Sequence, residues 1–152
     1  LSPAELARGQ KKLRLAAMLL YSFPGSPTLY YGDEAGMQGF EDPLNRGTYP
    51  WGGEDGSLLA FFRRLGQLRA ERISMQCGII RYLHAQGGGL VVERLHGTER
   101  TVAALNAGDT PLELTLPWDG RLCIDAVTGQ QFLSQNGTVH LTLPPLDGVI
   151  LV

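Results

Sequence analysis

The sequence predicts an α+β chain: a helix–strand–helix segment over residues 1–72, then an antiparallel β-sandwich over 73–152. Three observations lead there. Apolar residues recur at helical spacing in two windows of the first half. After about Ile73 the texture changes to short alternating or β-branched runs, punctuated by Gly, Asn and Asp. No internal repeat crosses the change.

The first helix is announced by Ser2-Pro3-Ala4-Glu5. Ser2 can cap, Pro3 suits the first helical position, and Glu5 stands where a capping box wants a carboxylate. Leu6, Leu13, Ala16, Ala17, Leu20 and Phe23 follow on one face, and Pro24-Gly25-Ser26-Pro27 stops the helix. Thr28–Tyr31 is a β-prone run closed by Gly32, expected as a buried strand with both tyrosines in the core. Residues 36–53 lack periodicity, and a connection of that length is usually functional or disordered.

A second helix is expected from about Asp55 to Arg72. Leu58, Phe61, Phe62, Leu65 and Leu68 share a face, while Arg63, Arg64, Arg69 and Arg72 suit the helix dipole and read as a solvated face. Strands are expected at Ile79–His84, Leu90–His96, Thr101–Asn106, Leu112–Leu116, Leu122–Val127, Thr138–Leu143 and Val149–Val152. Gly87-Gly88-Gly89, Gly108-Asp109, Asp119-Gly120, Asn136-Gly137 and Asp147-Gly148 separate them as turns.

Charge and composition exclude several classes. Thirteen Lys and Arg against fifteen Asp and Glu give a net charge of −2, with no basic footprint for nucleic acid or an anionic membrane. No run approaches the roughly 20 apolar residues of a membrane helix. Cys77 and Cys123 are too few for a disulfide scaffold and are expected as free, buried thiols. His84, His96 and His140 have no metal-ligand spacing, so no metal and no cofactor are expected. Asn136-Gly137-Thr138 matches a glycosylation acceptor and equally a tight turn.

The first half poses a physical problem. A lone strand cannot satisfy both of its hydrogen-bonding edges, and two apolar helix faces need a sheet to cover. Helix–strand–loop–helix is the end of a larger α/β unit, whose sheet partners are expected upstream of Leu1. Leu1 is not Met, and helix signals begin at once, so the expectation is an internal or C-terminal piece of a longer chain. Compartment is not written in these residues, and a cytoplasmic location is the working expectation.

The run Phe23-Pro-Gly-Ser-Pro-Thr-Leu-Tyr-Tyr-Gly-Asp-Glu-Ala-Gly-Met37 resembles the last barrel strand of the α-amylase superfamily of glycoside hydrolases. Asp42-Pro-Leu-Asn-Arg46 through Tyr49-Pro-Trp51 is similar to a loop of its neopullulanase, cyclomaltodextrinase and maltogenic amylase group, although Gly47 stands where that group often has a second Arg. The resemblance implies that residues 1–72 hold helix 7, strand 8, a loop and helix 8 of a (β/α)8 TIM barrel, and that 73–152 form an all-β C-terminal domain. It also implies a retaining hydrolase or transferase acting on α-1,4 or α-1,6 glucosidic bonds. Barrel sites are built at the C-terminal ends of strands, so the loop at 32–54 would face the sugar.

Retaining hydrolysis needs two carboxyl groups about 5–5.5 Å apart across the bond. Asp33 and Glu34 are adjacent, so in extended chain they point to opposite faces and read as hydrogen-bonders at a strand end. The resemblance puts the catalytic carboxylates on earlier strands, leaving no catalytic residue in this chain. It matches Asp42 and Arg46 to a pair that binds a glucose unit beyond the cleaved bond; a carboxylate accepts from sugar hydroxyls and a guanidinium donates in a fixed fork. The alternative is a loop salt bridge between residues four apart. Tyr49 and Trp51 are read either as sugar-stacking rings or as an anchor for the second helix.

The partners implied are an α-glucan or maltooligosaccharide in the intact enzyme, and the rest of the barrel. Two other readings stand beside the hydrolase: a carbohydrate-binding β-sandwich, and a structural tail. Self-association is also expected, as a two-fold dimer through Thr28–Tyr31 and helix faces bearing Leu13, Leu20, Leu58, Phe62 and Leu65. The alternative is a monomeric sandwich with residues 1–54 partly disordered.

Overall fold

The computed structural model describes residues 2–39 and 41–152. Helix α1 (Pro3–Ser22) begins with a complete capping box: the Ser2 hydroxyl accepts the Glu5 amide, and the Glu5 carboxylate accepts the Ser2 amide at 2.7 Å. Helix α2 (Gly56–Glu71) is capped by Asp55, which accepts from the amides of Ser57 and Leu58 at 2.9 and 3.1 Å. A short α3 (Ile73–Cys77) follows at once.

Next come β1 (Ile79–Gln86), β2 (Gly89–His96), β3 (Glu99–Asn106), β4 (Leu112–Pro117), β5 (Leu122–Ile124), β6 (Gln131–Leu133), β7 (Thr138–Leu143) and β8 (Asp147–Leu151). They form an antiparallel four-stranded sheet in the order β1-β2-β3-β8, with two-stranded pairs β4-β7 and β5-β6. Gly87 and Gly88 both have positive φ, as the tight β1–β2 hairpin requires. Asn136 and Gly137 do the same before β7, where Gln135 and Thr138 bond to each other.

Strands β2, β3 and β8 of the four-stranded sheet are buried on both faces, while β1 at its edge is largely exposed. Val92, Ala103, Leu105 and Ile150 point to one side, against Leu15, Met18, Tyr21, Leu58, Phe62, Leu65, Leu68 and Met75 of the three helices. Their sequence neighbours Val91, Val102, Ala104, Val149 and Leu151 point to the other, against Leu114, Leu116, Val139, Leu141 and Leu143 of β4 and β7. Period-two alternation is what lets one strand serve two cores.

Several expectations need correction. Residues 26–30 form no strand and pair with none among the described residues, and Tyr31 opens a turn. Tyr30 and Tyr31 are 52% and 45% exposed rather than in a core, because no sheet lies beside them. The strand expected over Leu122–Val127 stops at Ile124, since Asp125 turns its side chain back to the amides of Val127 and Thr128. Asp147-Gly148 is not a turn but the start of β8, and β6 is an addition. Cys77 is exposed, at the open end of α3; Cys123 is buried. Leu58, Phe62 and Leu65 do not stand open, because α1 and the four-stranded sheet cover them; Leu13 and Leu20 are only partly buried. The arginines expected on a solvated face are not all solvated: Arg64 of α2 donates to the Ala126 carbonyl at 2.7 Å, and Arg72, which follows α2, to the Arg100 carbonyl at 2.8 Å.

Candidate functional site

The segment after α1 has no regular secondary structure from residue 26 to 30 and then folds into a turn over 31–36. Gly32 has φ +93°, and a Cβ there would collide with the Met37 side chain, so only glycine fits. Its carbonyl accepts the amides of Ala35 and Met37 at 3.0 and 2.9 Å, and its own amide donates to Glu34 Oε2 at 3.0 Å. Two bonds tie this turn to its surroundings. The Asp55 amide donates to the Ala35 carbonyl at 2.9 Å, and the Tyr31 hydroxyl to the Gly47 carbonyl at 2.9 Å.

Between the turn and the following loop lies an open cleft of about 380 Å³, lined by Tyr30, Tyr31, Asp33, Met37, Gln38 and Asn45 among others. Burial, reinforced by the neighbouring Glu34 charge, raises the Asp33 carboxyl above its ordinary range. Asn45 Oδ1 is buried without a hydrogen-bond partner among the described residues. The cleft thus offers a carboxyl, two amide side chains and two phenol rings, a donor–acceptor set suited to hydroxyl-rich ligands. Glu34 is committed elsewhere: besides the Gly32 amide, it approaches Tyr49, whose phenol is raised first by burial and then by the Glu34 charge and bond.

Asp42 and Arg46 are brought together beside this cleft, without lining it. Arg46 Nε lies 2.7 Å from Asp42 Oδ1 and Nη2 3.1 Å from Oδ2, a forked pair with side chains 67% and 59% exposed. The exposed faces of both groups keep free oxygen lone pairs and N–H groups for a ligand. Trp51 is 85% exposed, with the Tyr49 ring 4.6 Å away, so it does not anchor α2 here. Residues that the sequence reading passed over are Gln38 and Asn45; their signal was only their place in a long Gly-rich connection. Among the described residues no three His, Cys, Asp or Glu side chains gather to hold a metal, and no helix is long and apolar enough to cross a membrane.

No protein-family model matches the chain. It is 34% identical to an amylopullulanase of Thermoanaerobacter thermohydrosulfuricus, over 93% of its own length and 11% of that protein. It is 31% identical to neopullulanase 2 of Thermoactinomyces vulgaris, over 93% of the chain and 26% of the relative. A mouse amino acid transporter heavy chain, SLC3A2, is 29% identical over 91% of the chain and 34% of its own length. The chain therefore spans about a tenth to a third of these relatives. Among solved structures, an Anoxybacillus α-amylase superposes with a TM-score of 0.85 at 29% identity, covering 93% of this chain and 32% of that one. The likeness runs over more than nine-tenths of the chain in sequence and in fold alike, and the chain belongs to the α-amylase family, over that family's C-terminal region.

Proposed function

We propose that this chain is the C-terminal part of an α-glucan-acting glycoside hydrolase that cleaves or transfers α-1,4 or α-1,6 glucosidic bonds with retention, and that it carries no catalytic carboxylate of its own. In this reading residues 1–72 are the last helix, strand and helix of a (β/α)8 barrel, and 73–152 the domain that covers them. The observation that carries it is the β-prone run Thr28–Tyr31, left without a strand partner among the described residues and leading straight into the turn and cleft at 31–46. Such a segment calls for strands on both sides. A strand there would put the cleft, Asp42 and Arg46 at its C-terminal end, where barrel enzymes build their sites.

Geometry supports the absence of a catalytic pair. Glu34 folds back on the Gly32 amide while its neighbour Asp33 lines the cleft, so the two do not flank one volume as retaining hydrolysis demands. Asp42 and Arg46 are assigned to hold a glucosyl unit away from the cleaved bond. A second reading, a non-catalytic structural module, is favoured by the likeness to the SLC3A2 heavy chain, whose name is not that of a hydrolase.

The test uses the complete protein from the coding sequence that surrounds these residues, beside this chain alone. Both are incubated with maltooligosaccharides and with pullulan, and new reducing ends and their anomeric form are followed. The complete protein should release the retained anomer and the chain alone nothing. Turnover by the chain alone would overturn the assignment of the catalytic groups. A complete protein inert on every α-glucan would favour the structural module.

A further inference from the structure

The last turn of α1 contains no basic residue, so the partial negative charge at its C-terminus is answered from outside the helix. Two arginines answer it. Arg69, on α2, donates to the carbonyls of Tyr21 and Phe23 at 2.5 and 3.0 Å, and also to that of Gly25. Arg94, in the middle of β2, is 1% exposed. It donates to the Ser22 carbonyl at 2.8 Å, and through Nε and Nη2 to the Gly78 carbonyl at 3.2 and 2.8 Å.

Neither guanidinium pairs with a carboxylate among the described residues. A charge buried against neutral carbonyls is costly, and a packed apolar side chain would serve plain stability as well or better. The placement of the bonds suggests what the charge achieves. The four carbonyls held on α1 and beyond it belong to residues 21, 22, 23 and 25, where the chain leaves the helix. Gly25, at φ +99°, re-aims the backbone there. Among the described residues the next five pair with no strand, and within this chain the segment is tied down at its two ends: by the arginine clasp upstream, and by the Tyr31–Gly47 and Ala35–Asp55 bonds downstream.

We propose that Arg94 is a positioning residue for the candidate site: from the β-sandwich it fixes, through the C-terminus of α1, where the turn at 31–36 and its cleft lie. Arg69 completes the clasp from α2. The proposal rests on the reading of that cleft as glucan-facing, and assigns the sandwich a part in shaping it.

Amide hydrogen exchange on this chain tests it. The amides of Asp33, Ala35, Gly36 and Met37 are bonded within the turn and report its order directly. In R94M they should exchange roughly tenfold faster, while amides at Val92, Ala103 and Ile150 in the sheet keep their protection. R94K should recover part of the loss, since an ammonium can hold one of the two carbonyls. If R94M does not fold, R69M carries the same test from the less buried end. A uniform rise across sheet and turn, or an unchanged turn in both Met variants, would overturn the proposal. In the complete enzyme the same variants should raise KM for long glucans several-fold with kcat retained. A complete protein inert on all glucans would remove the functional reading while leaving the exchange result to decide the clasp.

Discussion

Gln10, near the start of α1, donates to the Asp55 carboxylate at 3.0 Å, so the residue that caps α2 is also held by α1. Asp55 accepts from Ser57 through both hydroxyl and amide, and from the Leu58 amide. One carboxylate thereby closes a helix end and fixes the angle between two helices.

That arrangement gives a pH-dependent expectation. The Ser57 hydroxyl, the Leu58 and Ser57 amides and Gln10 together hold the Asp55 carboxyl below its ordinary 3.8. A depressed folded pKa contributes stability above the ordinary value, lost as pH falls through the depressed one. Asp55→Ala should lower Tm at pH 7, and the gap to the parent chain should shrink in melts repeated near pH 2. A gap independent of pH would assign the loss to packing.

Asp33 is expected to behave in the opposite sense. Burial, with Glu34, raises its folded pKa, so its contribution is favourable below the ordinary value and lost as pH rises through the raised one. Asp33→Asn should therefore raise Tm at pH 7 and leave it unchanged near pH 3. Thermal melts across that range check both limbs.

For Asp42 and Arg46, exposure limits the worth of their pair to the fold. A double-mutant cycle on this chain should give a coupling below about 1 kcal/mol, falling further with salt. In the complete enzyme, Arg46→Ala should cut kcat/KM more on long maltooligosaccharides than on the shortest, because binding energy from a remote unit is used at the reacting bond. An equal loss at all lengths would mark the pair as structural.

Packing of α1 on the sheet is tested at Gly148. A Cβ there would lie 2.7 Å from Leu105 Cδ2, 2.9 Å from the Ala104 carbonyl and 3.2 Å from Leu15 Cδ2. Gly148→Ala should destabilise by about 1–3 kcal/mol, since overpacking pushes α1 and β3 apart. Denaturant midpoints measure it. Leu15→Ala in the same chain should relieve part of that cost while adding its own cavity penalty.

Helix ends and hairpins were legible because their signals are local. Ser2-Pro3-Ala4-Glu5, Asp55 and Gly87-Gly88 each dictate backbone within a few residues, and all stand where expected. Contacts between distant residues were not legible. Arg64 reaches a carbonyl 62 residues away and Arg94 one 72 residues away, so no spacing rule separates them from a solvated charge. Gln131–Leu133 is too short for alternation to show, and β6 went unseen. At the candidate site, Asp42 and Arg46 are nominated by their motif, and the structure shows them as an exposed ion pair. The cleft itself depends on the fold of Gly32 against Met37, which composition does not encode.

Consecutive positions of β3 serve opposite layers, so the strand acts as a party wall between two rooms. A methyl removed at Val102 is felt by β4 and β7, while one removed at Leu105 is felt by the helices. Each room can drift in sequence with its own furnishings, provided the wall keeps its small, alternating tiles. The same partition gives the experimenter two independent handles, one on each side of a single strand.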